Sequence, residues 1–291
     1  MLAADKSEVA TNTALTHAFE RVKKVIARDF KEAYKGMYLA IPSVKSRGIN
    51  REYNNPFYNN ETLTGKDGFN QLVQEAIKVV VPNQKKLDLI DNVIGDVSEV
   101  IRELFENTHK HGRENESGDI LETNFRGVIF NSISVSPERL DKLSESGISG
   151  ITLFCSEWKV WIAKNKKNLP ILDISVVDAG PGFARRWTGK GKDDLSYEDE
   201  VTSILECFKK NNSTSHKLAD GSGLTHVLRD IKSLRGWFRL RTGSISVSRS
   251  FFKGNGSIKI TKNDISKAGD FIEGTSFNFV IPLVDITKED N

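Results

Sequence analysis

Glu103 and Asn107 are the residues whose types and spacing first suggest chemistry. They lie four residues apart within residues 87–111, where apolar residues recur at helical spacing. Four residues is about one helical turn, so we expect both side chains to project from the same face of this predicted helix. A carboxylate placed there can orient or deprotonate a water molecule, and an amide oxygen can coordinate a hard cation.

Three glycine-containing motifs lie further along the chain. Residues 178–182 (DAGPG) follow the apolar run at 171–177, and their glycines would let the backbone approach a flat ligand closely. Residues 221–224 (GSGL) precede a predicted helix, whose first backbone amides favour phosphate. Residues 273–277 (EGTSF) open the last predicted strand. The GxxxxGK[ST] P-loop is absent, and the glycine spacing does not fit the GxGxxG dinucleotide fingerprint.

Composition excludes several other classes. The net charge of +3, from 42 basic and 39 acidic residues, is too small to indicate a nucleic-acid partner. Two cysteines cannot form a disulfide framework or a four-ligand zinc site, and His109 and His111 face different sides of the predicted helix. No apolar run reaches the roughly 18 residues of a membrane helix, and the N-terminus lacks the pattern of a signal peptide. We therefore expect a soluble, cytoplasmic protein without a membrane partner.

The order of elements predicts an α+β fold. Helical patterns come early and short strands later, which favours a two-layer α/β sandwich with a mixed, mostly antiparallel sheet. The predicted helices cover residues 9–34, 69–111 (interrupted near Pro82, with one long helix at 87–111), 137–143, 195–210 and 223–234. The predicted strands cover residues 37–41, 127–135, 151–162, 171–177, 237–242, 244–252 and 275–283.

Residues 42–67 are predicted as a polar loop. Its central sequence YNNPFYNN, at 53–60, is either a surface for stacking on peptides or bases or simply a long, partly ordered loop. We expect residues 1–86 to form a helical extension for dimerisation or partner binding, and residues 87–291 to form the main domain.

In this order, the four motifs resemble the nucleotide-binding motifs of the GHKL superfamily. Its members include the ATPase domains of type II topoisomerases, the heat-shock chaperone, mismatch-repair proteins and sensor histidine kinases. The resemblance covers roughly residues 88–284, and it implies a Bergerat-type fold with ATP and Mg²⁺ as ligands. Thr108 replaces the alanine that usually follows the metal-binding asparagine, and an insertion is expected near residues 113–150.

The resemblance also implies a role for each motif residue. Asp178 would accept a hydrogen bond from the amino group of adenine, assisted by Thr275 through a water molecule. Gly180 and Gly182 would line the adenine side of the pocket.

At the phosphate end, the resemblance assigns the metal and the reaction. Asn107 would coordinate the Mg²⁺ that bridges the phosphates, Lys110 would contact phosphate, and Glu103 matches the general base of the members that hydrolyse ATP.

A mobile lid is expected over residues 183–220. The residues that would close on the phosphates at its end are Gly221, Gly223 and Leu224. Arg185 and Arg186, at its start, either attract phosphate or belong to a solvated basic loop.

Three functions remain open at this point. The first is Mg²⁺-dependent ATP hydrolysis, with lid closure coupled to a protein partner or a homodimer. The ExxxNxxxHG pattern of the long helix resembles the anti-sigma-factor serine kinases as closely as the ATPases, so phosphorylation of a protein serine is the second. The third is a nucleotide-sensing interaction module without useful turnover.

Overall fold

The computed structural model describes residues 11–34, 36, 38–46, 49–81, 83–148, 150–209, 223–251 and 257–285, with side chains except at residues 11–17 and 49. The strands are β1 (Leu39–Ser46), β2 (Ile49–Arg51), β3 (Tyr58–Asn59), β4 (Thr62–Leu63), β5 (Asn124–Val135), β6 (Leu169–Asp178), β7 (Trp237–Ser250) and β8 (Ile265–Pro282). The helices are α1 (Thr11–Ile26), α2 (Phe30–Ala33), α3 (Lys66–Val80), α4 (Gln84–Asp91), α5 (Ile94–His111), α6 (Pro137–Ser144), α7 (Ile151–Asn165), α8 (Gly182–Thr188), α9 (Tyr197–Cys207) and α10 (Gly223–Ser233).

The fold is α+β, as predicted. One six-stranded sheet has the order β2-β1-β5-β6-β8-β7, and β3 and β4 form a separate hairpin. Every pairing between these named strands is antiparallel, so the described sheet is antiparallel and not mixed. The order places β6 between β5 and β8, so that Asp178 of β6 is in register with Thr275, which lies far along the chain on β8.

The long helix α5 packs against one face of this sheet. Its buried apolar side chains recur at helical spacing, so they form one stripe toward the core: Val97, Val100, Ile101, Leu104 and Phe105. The helix ends as the sequence predicts, because the N–H of Gly112 donates to the carbonyl of Thr108 and closes the last turn. Its start differs from the prediction, since residues 87–111 are divided between α4 and α5.

The prediction of a strand at residues 151–162 is wrong, because this segment lies in α7. Its buried residues fall at helical intervals: Ile151, Phe154, Cys155, Trp158 and Ile162. They pack with Leu169, Ile171 and Trp237 in a second hydrophobic cluster on the other face of the sheet. The β-branched and aromatic residues that suggested a strand instead form the buried face of a helix.

The predicted polar loop at residues 42–67 is largely ordered structure. β1 continues through Pro42 to Ser46, and β2, β3 and β4 follow. Pro42 lies outside the part of β1 that pairs with β2, at residues 44–46, so among the described strands β1 has only β5 as a partner there, a position at which proline is tolerated.

Two other element boundaries differ from the sequence predictions. The first helix ends at Ile26 and not at residue 34, and Arg28 adopts a left-handed backbone conformation with φ of 58°. The two adjoining strands predicted at residues 237–252 form one strand, β7, whose register with β8 shifts near Gly243.

The described part of residues 1–86 is not the helical extension that we predicted, because it contains strands of the main sheet. β1 and β2 belong to the same sheet as β5, and Phe57 and Phe69 are fully buried in the core that contains Ile101 of α5. The described residues on both sides of position 86 therefore share one core, and the role of this region in dimerisation stays a prediction. Within the described ranges, no helix combines the length and the hydrophobicity required to cross a bilayer.

Candidate functional site

Four polar residues form one row across four strands of the sheet. Arg126 of β5 is in register with Asp178 of β6, Asp178 with Thr275 of β8, and Thr275 with Thr242 of β7. Residues that face each other across antiparallel strands have Cβ atoms about 4.5–5.5 Å apart and point to the same side. The carboxylate predicted to bind adenine therefore lies between a guanidinium and two hydroxyl groups.

Asp178 is held by hydrogen bonds from two directions. Its Oδ1 accepts from the N–H of Gly180 at 2.9 Å, and its carboxylate also accepts from the hydroxyl and the N–H of Thr275. Burial raises the pKa of Asp178 to about 6, because it outweighs these hydrogen bonds and the charge of Arg126. Thr275 thus contacts Asp178 directly, whereas the resemblance implies an assisting role through water.

The end of α5 lies against the turn that follows Asp178. A Cβ atom on Gly112 would come within 2.8 Å of Cβ of Asp178, and one on Gly180 within 2.7 Å of Cα of Gly112. Side chains at these two positions would separate the helix from the strand. Because these two glycines have no side chains, the end of the helix that carries Glu103 and Asn107 can lie against the DAGPG turn.

Thr242 completes the same region and was missed by the sequence analysis. Gly182 begins α8 with φ of 78°. A Cβ atom on this residue would lie 2.6 Å from Oγ1 of Thr242. This buried hydroxyl oxygen accepts from the N–H of Phe183 at 3.2 Å. No local pattern marks a threonine in a strand, and only the strand register reveals its position.

The GSGL motif at residues 221–224 contacts Glu103 of α5 through Gly223. A Cβ atom on Gly223, the first residue of α10, would lie 2.7 Å from Oε2 of Glu103. Burial raises the pKa of Glu103, opposed by Arg102, whose Nη2 donates to Oε1 at 2.6 Å. A half-buried carboxylate with a raised pKa, beside the start of a helix, suits a general base next to a phosphate.

Asn107 lies one turn beyond Glu103 on the same helix and is half-buried. Its side chain makes no hydrogen bond to any residue that the structure describes, so its amide oxygen is available for a cation. Lys110, in contrast, is paired with Glu106 at 3.0 Å. The described part of the chain contains no cluster of three His, Cys, Asp or Glu residues that could hold a metal ion.

Arg185 and Arg186 do not form the predicted solvated basic loop, because both lie in α8 and are ion-paired. Arg185 contacts Glu116 at 2.9 Å and Glu273 at 2.6 Å, and Arg186 contacts Glu114 at 2.6 Å. These ion pairs connect α8 to the segment after α5 and to β8. The two arginines therefore belong to an ion-paired helix and not to a solvated loop, and their attraction of phosphate stays a prediction.

Residues 53–60 turn their aromatic rings inward. Phe57 stacks on Phe69 with ring centroids 4.5 Å apart and lies 5.0 Å from the ring of Phe105 of α5. Tyr58 is buried, and its hydroxyl lies 3.0 Å from Nδ1 of His109. Both interpretations of this segment, an exposed stacking surface and a partly ordered loop, are wrong for these rings.

Among the residues that the resemblance assigned to the site, Asp178 lies against Gly180 and Thr275, and Glu103 lies against Gly223. Asn107 and Lys110 follow Glu103 on α5. Leu224 follows Gly223 on α10 and packs partly against the main core. Gly221 lies outside the described residues, as does the part of the predicted lid from 210 to 220.

Comparisons with known proteins add no further constraint to this site. No family model, no curated protein and no solved structure matches the chain.

Proposed function

We propose that the chain binds ATP with Mg²⁺ and hydrolyses it, using a site of the GHKL class. The observation that carries this proposal is the meeting of four motifs that lie apart in the sequence. The end of α5 lies against the turn after Asp178, Thr275 bonds to Asp178, and Gly223 lies against Glu103.

Recognition of adenine depends on Asp178. An ionised carboxylate accepts a hydrogen bond from the amino group of adenine, whereas guanine presents a carbonyl oxygen at the equivalent position and would be repelled. Gly180 and Gly182 would line the adenine side of the site with their backbone, since atoms of Gly112 and Thr242 occupy the space that their side chains would take.

The phosphates would lie between α5 and the start of α10. Asn107 would hold Mg²⁺, which when bound neutralises phosphate charge, and its side-chain amide has no competing hydrogen bond among the described residues. The first backbone amides of α10 would donate to phosphate oxygens.

Glu103 would orient the attacking water and accept its proton. Its carboxylate lies at the junction of α5 and α10, beside the proposed phosphate position, and burial raises its pKa, which makes it a stronger base. Lid closure over the nucleotide, coupled to a protein partner or a second copy of the chain, belongs to the same proposal.

Turnover of isotope-labelled ATP by the purified protein tests this function. We expect phosphate release that needs Mg²⁺ and falls about 10²–10⁴-fold in Glu103→Gln, with ATP binding nearly unchanged. Glu106→Gln on the same helix is the control and should hydrolyse ATP nearly normally, because Glu106 lies about 100° around the helix from Asn107 and so points away from the proposed metal.

The products distinguish the alternatives. Label transferred to a protein serine would favour a kinase, and binding without turnover would favour a nucleotide sensor. Equal turnover by the wild type and Glu103→Gln would contradict the proposed mechanism.

A further inference from the structure

Arg126 is a fully buried arginine whose ion pair is supplied by the N-terminal part of the chain. Its Nη2 donates to Oε1 of Glu52 at 2.7 Å and to Oγ of Ser43 at 3.1 Å, and its Nη1 donates to the hydroxyl of Tyr58 at 2.6 Å. Glu52 is buried as well. Burying a charge is costly without a partner, so these contacts determine where the guanidinium can lie.

The same arginine is the cross-strand neighbour of Asp178. Their Cα atoms are in register on β5 and β6, and the positive charge of Arg126 opposes the effect of burial on the pKa of Asp178. The other groups that bond to the Asp178 carboxylate, Gly180 and Thr275, are uncharged. The charge state of Asp178 is therefore coupled to Arg126.

Other titratable groups near Arg126 come from α5, from the segment after it, and from the segment between β2 and β3. His109 lies against the Tyr58 hydroxyl, and Arg113 donates to the hydroxyl of Tyr53 at 2.6 Å and approaches Glu52 at 3.8 Å. Glu52 is thus the acidic group through which the N-terminal part of the chain balances two arginines.

We infer that Arg126 is a positioning residue for adenine recognition, which keeps the Asp178 carboxylate charged and is itself held by Glu52 and Tyr58. This inference rests on the proposed function. It assigns the N-terminal part of the chain a role in the nucleotide site, as the support of the arginine behind the adenine-binding carboxylate.

The direct test measures the NMR chemical shift of the Asp178 carboxyl carbon as a function of pH, without nucleotide. The signal is assigned by its loss in Asp178→Asn. We expect a midpoint near pH 6 in the wild type. In Arg126→Gln the midpoint should rise by about one pH unit or more, because a nearby opposite charge lowers a carboxyl pKa by roughly 1–3 units. Arg126→Lys keeps the charge and should keep the midpoint nearly unchanged.

ATP affinity in the same variants tests the consequence for recognition. Arg126→Gln should bind ATP several-fold more weakly than the wild type at pH 6.5 and nearly as well at pH 8.5, where Asp178 is ionised in both. An equal loss at both pH values, with an unchanged midpoint, would show a purely structural role and overturn the inference.

Glu52→Gln decides the question if Arg126→Gln does not fold. Removing the Glu52 charge leaves Arg126 less compensated, so the Asp178 midpoint should fall; an unchanged midpoint would overturn the inference. Failure of the proposed function gives a different result, in which the midpoint responds as expected and the wild type binds no ATP.

Discussion

Gly223 and Glu103 are in such close contact that the first residue of α10 has no room for a side chain. A Cβ atom on Gly223 would lie 2.7 Å from Oε2 of Glu103. The obstructing atom is the end of a flexible side chain and not backbone. A small side chain at residue 223 should therefore displace the carboxylate while leaving the packing of the two helices in place.

Gly223→Ala should reduce ATP turnover with little loss of folding. A displacement of about 1 Å at a reacting group can lower the rate about 10²-fold, so we expect a loss of about 10- to 100-fold in kcat. Steady-state kinetics and thermal melting of the purified variant measure both effects. Gly95→Ala, in the first turn of α5, is the matched control because no atom lies within 4 Å of the added methyl. Equal kcat in the two variants would contradict a role for the position of Glu103.

Asn107→Ala should separate binding of the metal from binding of adenine. The variant keeps Asp178 and the glycines around it, so ADP without metal should bind nearly as in the wild type. The increase in ATP affinity that Mg²⁺ produces in the wild type should largely disappear. Calorimetric titrations of ATP with Mg²⁺ and with a chelator give both values. A Mg²⁺ effect of wild-type size in Asn107→Ala would exclude this residue as the ligand.

His109 should make the stability of the protein depend on pH. Burial and the nearby arginines lower the pKa of His109 from 6.5 to about 4. The folded state therefore disfavours its protonation, and the associated stability is complete above pH 6.5 and is lost as the pH falls toward 4. Relative to His109→Gln, the wild type should lose about 1–2 kcal/mol of unfolding free energy between pH 7.5 and pH 5.

Urea unfolding of both proteins at the two pH values, with a chelator present, measures this difference. Tyr58→Phe, which keeps the imidazole, serves as the control and should retain most of the pH dependence. A constant difference between the wild type and His109→Gln would show that His109 titrates normally in the folded protein.

Local patterns in the sequence predicted the elements that position the site, but not the pairing between them. α5 and its end at Gly112 follow from apolar spacing and a glycine, and β6 follows from an apolar run before DAGPG. The segment of α7 was predicted incorrectly because its β-branched and aromatic residues favour a strand when burial is unknown.

The row that contains Arg126, Asp178 and Thr242 could not be predicted, because it depends on the register of strands distant in sequence. The buried pair of Arg126 and Glu52 was missed for the same reason, since 73 residues separate its two members and no local signal connects them.

Calorimetric titration of ATP with Mg²⁺ into the wild type and Asp178→Asn at pH 7.5 tests the central claim most directly. Asparagine preserves the size of the side chain and removes the charge, and the loss of a hydrogen bond to a charged group costs about 1.5–3 kcal/mol. We therefore predict that the wild type binds ATP in preference to GTP, and that folded Asp178→Asn binds ATP about 10- to 150-fold more weakly. Wild-type affinity in Asp178→Asn, or no binding of ATP by the wild type, would contradict the assignment of this site to adenine.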